Sequence, residues 1–268
     1  MAMDDVTTAG TARWPRWIVY AGALFGAGGP ILAIAMAVAT GAGMLGWETS
    51  LGALRPLLFV SIAGFVLSLI GLIVIFFKKQ PGAAKWAVLG AVLSTAFLIY
   101  AGIWINQMGS VPPIHDVTTD LTNPPEFEEL SLRADNREIV PDGGRPELAA
   151  VDEAMRWRLW HAEAYSDIQP IIVPLSVPDT VEAARQLIED RGWEIASVDP
   201  VAGRVEATEA VSLYRFKDDV VLRITPNPDG EGSVVNMRSV SRVGVSDLGV
   251  NADRIRAFLR DLSETTAS

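Results

Sequence analysis

The stretch "RSVSRVGVSDLGVNADRIRAFL", Arg238 to Leu259, joins a strand to a helix through a glycine-containing reversal. Arg238 and Arg242 are an even number of residues apart, so in a strand both side chains point to one face, about 13 Å from each other. The apolar side chains that follow recur with the spacing of a helix face: Ile255, Phe258, Leu259 and Leu262. The stretch therefore predicts a last sheet strand and a helix that begins at Asn251 as N-cap and covers the sheet.

The segments before this stretch complete a two-layer domain. Strands joined as hairpins, with helices outside the run, favour an antiparallel sheet covered on one face by helices. The predicted strands are residues 169–177, 193–198, 204–209, 220–225 and 234–243, and the predicted helices before the last one are residues 147–162 and 179–191. The predicted fold class is α+β, with this domain at residues 147–268.

The predicted helix at residues 147–162 has an unusually broad apolar side. Its aliphatic residues recur at helical spacing: Leu148, Val151, Met155, Leu159 and Ala162. Trp157 and Trp160 widen this side further. Such a pattern is typical of a helix that packs on a core.

Three apolar runs occupy the N-terminal part of the chain, at residues 17–40, 57–77 and 86–105. Each has about the 20 residues that a helix needs to cross a bilayer core, and none contains an ionisable side chain. Residues 1–105 therefore predict a membrane domain of three transmembrane helices, with the lipid bilayer as a partner. Transporters, proton relays and voltage sensors are disfavoured, because they need polar groups at depth.

Positive charges at the ends of the runs predict an orientation. Arg13 and Arg16 precede the first run, and the loop of residues 78–85 contains three lysines. Because cytoplasmic loops are enriched in Lys and Arg, we expect a cytoplasmic N-terminus in the inner membrane and a periplasmic or extracytoplasmic segment 106–268. As an alternative, the first run is a signal peptide cleaved near residues 37–39, which leaves two spans and the same exported domain.

Charge divides the chain at the same place. Residues 1–105 carry six Lys or Arg against three Asp or Glu, whereas residues 106–268 carry sixteen against twenty-nine. An acidic domain lacks the basic surface that nucleic acid requires. The sequence contains no cysteine, which excludes a disulfide framework, a thiol nucleophile and a thiolate metal site. We expect no nucleic acid, no metal and no cofactor.

Residues 106–146 are rich in proline and glycine, so they predict an extended connector with little regular structure. Within it, His115, Asp116 and Asp120 offer an imidazole and two carboxylates. These groups could anchor the connector by hydrogen bonds, bind a metal, or act as acid and base. Anchoring is the favoured interpretation, since the whole chain has only two histidines.

Alternation along the strands collects polar residues on the sheet face turned away from the helices. They are Arg204, Glu206, Thr208, Asp219, Arg223, Asn236, Arg238 and Arg242. Arginine accounts for fifteen of the sixteen basic residues in 106–268, and its fork suits carboxylate or phosphate. Either these residues pair across strands, with Asp247 as a further carboxylate for Arg238 and Arg242, or the face binds the connector, a partner or an anionic ligand.

Seven ordered segments support a family resemblance: "PPIHDVTTD", "NPPEF", "AYSDIQPI", "GWEI", "GRVEAT", "DDVVLRI" and the stretch quoted first. Over residues 111–262 they resemble the family known as domain of unknown function 1499, in its membrane-anchored bacterial version. The resemblance implies a domain boundary and no established enzymatic activity. The sequence departs from the family pattern at residues 155–161, which are rich in tryptophan, and at Val245, where relatives carry a polar residue.

Two functions fit the sequence. The favoured one is a non-catalytic envelope protein, an accessory subunit of a membrane complex, whose exported domain binds a protein through the arginine face or a contact surface at Trp157 and Trp160. The alternative is an enzyme or receptor for an anionic envelope metabolite or lipid headgroup, with an arginine clamp and His115 as acid or base. The candidate functional or anchoring residues are His115, Asp116, Asp120, Glu206, Arg223, Arg238, Arg242 and Asp247.

Overall fold

The computed structural model describes residues 15–79, 81–211 and 213–267. Arg13, which contributes to the predicted orientation of the first span, lies outside these residues. The chain divides into two compact units, with the boundary between Ile105 and Asn106.

The first unit is helical. Its elements are α1 (Pro15–Gly41), α2 (Trp47–Lys78), a 3-10 turn (Pro81–Ala83) and α3 (Ala84–Ser110), whose last residues belong to the second unit. All three α-helices are long and apolar enough to cross a membrane. The prediction of three long apolar helices is confirmed.

Glycines allow these helices to approach one another closely. A Cβ atom on Gly26 of α1 would lie 2.4 Å from the carbonyl oxygen of Gly90 in α3, and one on Gly64 of α2 would lie 2.3 Å from the backbone nitrogen of Gly26. A Cβ atom on Gly22 would meet Ser68 of α2 at 2.7 Å. Small residues at such crossings allow the backbones of the two helices to come into direct contact.

The second unit contains a six-stranded antiparallel sheet. Its strands are β1 (Asp116–Thr118), β2 (Ile171–Val173), β3 (Glu194–Asp199), β4 (Arg204–Val211), β5 (Phe216–Pro226) and β6 (Ser233–Ser241). The order is β1-β6-β5-β4-β3, and β2 also pairs with β6. Both short strands therefore lie along one edge of β6.

Two helices, α6 (Val177–Asp190) and α7 (Val250–Thr266), pack on one face of this sheet. Two further helices, α4 (Pro146–Ala149) and α5 (Glu153–Ala164), precede them, and α5 bonds to the outer edge of β1 through Trp157 and His161. Val205, Leu222 and Met237 project from neighbouring strands into a core shared with Ile188 of α6 and Phe258 of α7, and all five are fully buried. Each such side chain contributes about 1.5–3 kcal/mol to folding. The predicted α+β class is confirmed.

The predicted helix at residues 147–162 is two helices, α4 and α5. They separate at Asp152, whose side chain accepts a hydrogen bond from the backbone of Met155 and caps α5. Trp157 is 1% exposed, whereas Met155 and Leu159 are 42% and 41% exposed. The indole occupies the buried side because it removes more apolar surface from water and its N–H reaches a buried carbonyl. The aliphatic spacing therefore indicated the wrong side of this helix.

Gly249, rather than Asn251, is the N-cap of α7. Its φ of 87° is left-handed, which glycine adopts without strain. Asp247 supplies the capping oxygens, since its carboxylate accepts the N–H groups of Gly249 and Asn251 at 2.9 and 2.7 Å. Asn251 is fully buried and its side chain bonds to Ser239 and Ser241 of β6. The predicted cap is therefore a link between helix and sheet.

Much of the predicted connector belongs to the folded unit. β1 lies within it and pairs with β6 over three residues. Ile114, Val117 and Val140 are buried in the same core as α6 and α7. The prediction of little regular structure misses β1, because a strand of three residues leaves no periodic signal.

Candidate functional site

A buried ion pair lies where the connector meets the sheet. Arg238 of β6 donates hydrogen bonds of 2.9 and 2.6 Å from Nε and Nη2 to the two carboxylate oxygens of Asp116 in β1. The side chains are 3% and 1% exposed. Burial alone raises the pKa of Asp116, but the hydrogen bonds and the charge of Arg238 outweigh it and hold that pKa below its usual value. Asp116 is therefore an anion in the folded protein.

Three neighbours complete the hydrogen bonds of this pair. Asn136 donates its Nδ2 to Asp116 Oδ2 at 2.7 Å, and Trp157 donates its indole N–H to the Asp116 carbonyl at 2.7 Å. The remaining Nη1 of Arg238 donates to the carbonyl of Pro125 at 3.2 Å. Removing one member of a buried pair leaves the other charge buried without a partner, which lowers the free energy of unfolding by about 3–5 kcal/mol.

His115 precedes Asp116 and is 1% exposed. Its Nε2 lies 3.2 Å from Asn136 Oδ1, and its Nδ1 lies 3.3 Å from the carbonyl oxygen of Val245. Both partners are acceptors, so a neutral ring donates to one of them and a protonated ring donates to both. Val245 takes part through its main chain, so no polar side chain is needed there for this contact.

Glu206 of β4 fixes the connector at a second point. Its carboxylate accepts the backbone N–H groups of Glu128, Glu129 and Leu130, with shortest distances of 2.7 and 2.8 Å. The residue is fully buried. A buried carboxylate that receives several backbone N–H groups works as a cap for the segment that donates them.

The other two arginines of the predicted anion clamp also contact carboxylates. Arg223 donates its Nη2 to Asp120 at 3.0 Å and its Nη1 to a connector carbonyl at 2.8 Å. Arg242 donates its Nε and Nη2 to the two carboxylate oxygens of Asp219, both at 2.8 Å. Together with Arg238, these side chains direct their forks at internal carboxylates.

A second buried charge cluster, on the helix side of the sheet, was missed by the sequence interpretation. Arg254 of α7 is 5% exposed and donates to Asp218 at 2.6 Å and to Glu209 at 2.5 Å. Asp218 and Asp219 point to opposite faces, as adjacent strand residues do. The sequence did contain a signal for this cluster: Arg254 lies one turn before Phe258, so helical spacing places it on the buried side of α7.

The predicted contact surface at Trp157 and Trp160 is not exposed. Arg137 stacks over the buried Trp157 ring, 4.3 Å from its centre. Trp160 is half-buried, and its indole N–H donates to the carbonyl of Pro141 at 2.9 Å, while Arg145 covers its ring. Both indoles hold the connector against α5, because their large apolar faces gain more from that packing than from water.

Asp247 contacts neither Arg238 nor Arg242, for which it was a predicted partner. Its carboxylate accepts only backbone N–H groups at the start of α7 among the described residues. Burial raises the pKa of Asp247 above its usual value. Its contacts are those of a helix cap.

A cleft of about 340 Å³ lies between connector residues 118–122 and the end of α5 with the loop that follows it. His161 lines the cleft, and its Nε2 accepts the backbone N–H of Thr118 at 3.1 Å, so Nδ1 carries the ring proton. Nδ1 and the hydroxyl of Tyr165 are buried and have no hydrogen-bond partner among the described residues.

The described groups around this cleft suit a polar, uncharged ligand better than an ion. Burial lowers the pKa of His161 and raises the pKa of Tyr165, so both side chains are neutral at pH 7. The carboxylate of Asp120 is paired with Arg223 and accepts backbone N–H groups. The neutral polar groups exposed at the cleft are the hydroxyls of Thr122 and Ser166 and the side-chain amide of Gln169.

Stability should depend on pH through His161. Because burial lowers its folded pKa below the usual 6.5, the unfolded chain binds the proton first as the pH falls. The contribution of neutral His161 to the free energy of unfolding is therefore fully present above pH 6.5 and is lost as the pH falls below it. We expect a smaller loss between roughly pH 7 and pH 5 for His161→Gln than for the wild type, measured by thermal unfolding of the full-length protein in neutral detergent. Parallel pH profiles would contradict this assignment.

Comparison with known proteins agrees with this division of the chain. A family model described as "Protein of unknown function (DUF1499)" matches residues 116–262, from the first residue of β1 into α7. A comparison with curated proteins gave no match. The match covers more than half of the chain and includes the Asp116–Arg238 pair, Glu206 and the cleft. The chain belongs to the DUF1499 family of proteins of unknown function.

Proposed function

We propose that this protein is a membrane-anchored envelope protein that acts as a non-catalytic accessory subunit of a membrane complex. Residues 1–105 form the anchor in the inner membrane, residues 106–146 the connector, and residues 147–268 an extracytoplasmic domain that binds a protein partner. The observation that carries the proposal is that the charged groups of the predicted site bond to one another, while an apolar stripe of α5 is left exposed.

The orientation rests on the positive charges around the helices. Lys78 ends α2, Lys79 follows it and Lys85 lies in the first turn of α3, so the loop between them is basic. Cytoplasmic loops carry such charges, and an odd number of spans puts the two ends of the chain on opposite sides. This supports a periplasmic second unit.

The non-catalytic role rests on the state of the chemically capable groups. The carboxylate of Asp116 is held by Arg238, and that of Glu206 by backbone N–H groups. His115 is buried and lies within hydrogen-bond distance of two oxygen acceptors. General acids and bases need access to a substrate proton, which these buried groups lack.

The docking surface is the outer side of α5. Met155 and Leu159 are exposed there, one turn apart, and Ala162 continues the stripe. Arg158 lies between them in sequence and is also exposed. Methionine and arginine are enriched at protein interfaces, where a small apolar centre with a polar rim is the usual arrangement.

The alternative function is a receptor or enzyme for an envelope metabolite or lipid headgroup, and the cleft at His161 favours it. A cavity of about 340 Å³ is within the usual range for small-molecule sites. The sequence predicted an arginine clamp for an anionic ligand, but those arginines bond to carboxylates of the protein itself. This alternative therefore depends on the cleft and its neutral groups.

Cysteine labelling tests the orientation directly, because the chain has no cysteine of its own. Val201 lies between β3 and β4 and is 96% exposed. We expect Val201→Cys to react with a membrane-impermeant maleimide in cells whose outer membrane has been permeabilised. Gly82→Cys, in the turn between α2 and α3, is the matched control and should react only after lysis. The reverse pattern would overturn the proposed topology.

Substitution of the apolar stripe tests the docking proposal. Met155→Glu combined with Leu159→Glu places two carboxylates where the partner would pack. If each residue contributes about 1–2 kcal/mol, the double variant weakens the complex at least about tenfold. The measurement is the amount and size of the complex isolated in mild detergent, and Val201→Glu is the control on a distant exposed turn. A complex of unchanged size and yield in the double variant would refute this surface.

A further inference from the structure

Nearly all arginines of the second unit contact a carboxylate directly. Among the described residues, the exceptions are Arg137, Arg158 and Arg215. Arg137 forms only a long ion pair, with its Nε 3.9 Å from Asp116 Oδ2 and therefore beyond hydrogen-bond distance. In a unit with sixteen basic residues and twenty-nine acidic ones, arginines with so weak a carboxylate contact, or with none, are unusual.

Arg137 is held in place without a hydrogen bond to its guanidinium. The group stacks on the ring of Trp157, 4.3 Å from the centre, and the side chain remains 34% exposed. Asp116 does not accept a hydrogen bond from this guanidinium, because its two oxygens already accept hydrogen bonds from Arg238 and Asn136. Stacking fixes the plane of the guanidinium and leaves its N–H groups without an acceptor among the described residues.

Arg158 follows Trp157 in α5 and is exposed. The residues one turn away on either side of it are Ala154, Met155, His161 and Ala162, so no carboxylate can pair with it along the helix. It is the neighbour along α5 of Trp157, on whose ring the guanidinium of Arg137 stacks. Burial, together with the charges of Arg238 and Arg158, lowers the pKa of Arg137 below its usual value, although Asp116 opposes the shift.

The charges that act on one another here are unbalanced. Three are guanidinium groups: those of Arg137 and Arg238 lie within 4 Å of the Asp116 carboxylate, and that of Arg158 belongs to the residue after Trp157. About two positive charges are therefore left without a partner. A phosphate monoester carries about −1.5 to −2 at pH 7 and has three strong acceptor oxygens.

We propose that Arg137 and Arg158 form a binding site for a phosphoryl group. Arg137 offers a fork already oriented by Trp157, and Arg158 is exposed at the next position of α5. Planar guanidinium groups recognise phosphate by paired hydrogen bonds, which lysine cannot reproduce. The site goes beyond the proposed docking function. It shares Arg158 with the edge of the docking surface, but the two are tested separately because the apolar stripe and the guanidinium pair are changed by different substitutions.

The phosphoryl group could belong to a soluble metabolite or to a lipid headgroup, since both present the same oxygens. The unit as a whole is acidic, so diffuse attraction to an anionic surface is weak and binding depends on these two side chains. Inorganic phosphate and a short-chain phosphatidic acid are therefore probes that separate the two sources.

The test is thermal unfolding of the full-length protein in neutral detergent, with phosphate replacing chloride at constant ionic strength. A ligand that binds only the folded state raises the Tm, here by roughly 2–4 °C near saturation. We expect Arg137→Gln and Arg158→Gln to weaken phosphate binding at least tenfold. Arg215→Gln is the matched control, because Arg215 is also without a carboxylate contact but lies in the turn before β5.

Arg158 is exposed, so Arg158→Gln keeps the test valid if Arg137→Gln unfolds. Phosphatidic acid that binds at least tenfold more tightly than phosphate, with the same dependence on both arginines, would identify a lipid headgroup, whereas equal affinities would identify a soluble ligand. A Tm that phosphate does not change, or that it raises equally in the wild type, Arg158→Gln and Arg215→Gln, would overturn the proposal.

Discussion

The ion pair between Asp116 and Arg238 is the interaction on which the second unit depends. It joins the three-residue edge strand β1 to its neighbour β6, and it lies out of reach of water. Burying both charges is expensive, and the cost is offset only because Asn136 and the carbonyl of Pro125 satisfy their remaining hydrogen bonds. Trp157 adds a hydrogen bond to the main-chain carbonyl of Asp116. Such a network tolerates few rearrangements, so it specifies where the connector lies.

The connector is consequently a layer of the domain rather than a tether. Asp116 and Asp120 bind it to arginines of β6 and β5, and Glu206 holds it through the backbone of residues 128–130. The helix face of the sheet carries the apolar core and the Arg254 cluster, and on the opposite face the connector bonds to Glu206, Arg223 and Arg238. These contacts explain why so many charged residues of an acidic unit are buried.

Local patterns in the sequence predicted what depends on local geometry. Alternation placed Glu206, Arg223 and Arg238 on one face, and helical spacing found α6 and α7. The failures involve long-range contacts. The side of α5 that is buried was decided by a hydrogen bond from Trp157 to a distant strand, and Asn251 was drawn into the sheet by two serines. No periodic signal in a single sequence contains such pairings, and for the same reason Asn136 was not recognised.

The most direct test of this account is hydrogen–deuterium exchange of the amides of Glu128, Glu129 and Leu130 in the full-length protein. These amides lie in a loop, and in an independent connector they would exchange within seconds or faster. We expect protection comparable to that of β5, and loss of that protection in Asp116→Asn. Asp167→Asn, which removes an exposed carboxylate paired with Arg256, should leave it unchanged. Rapid exchange of these three amides in the wild type would contradict the claim that buried charges lock the connector onto the sheet.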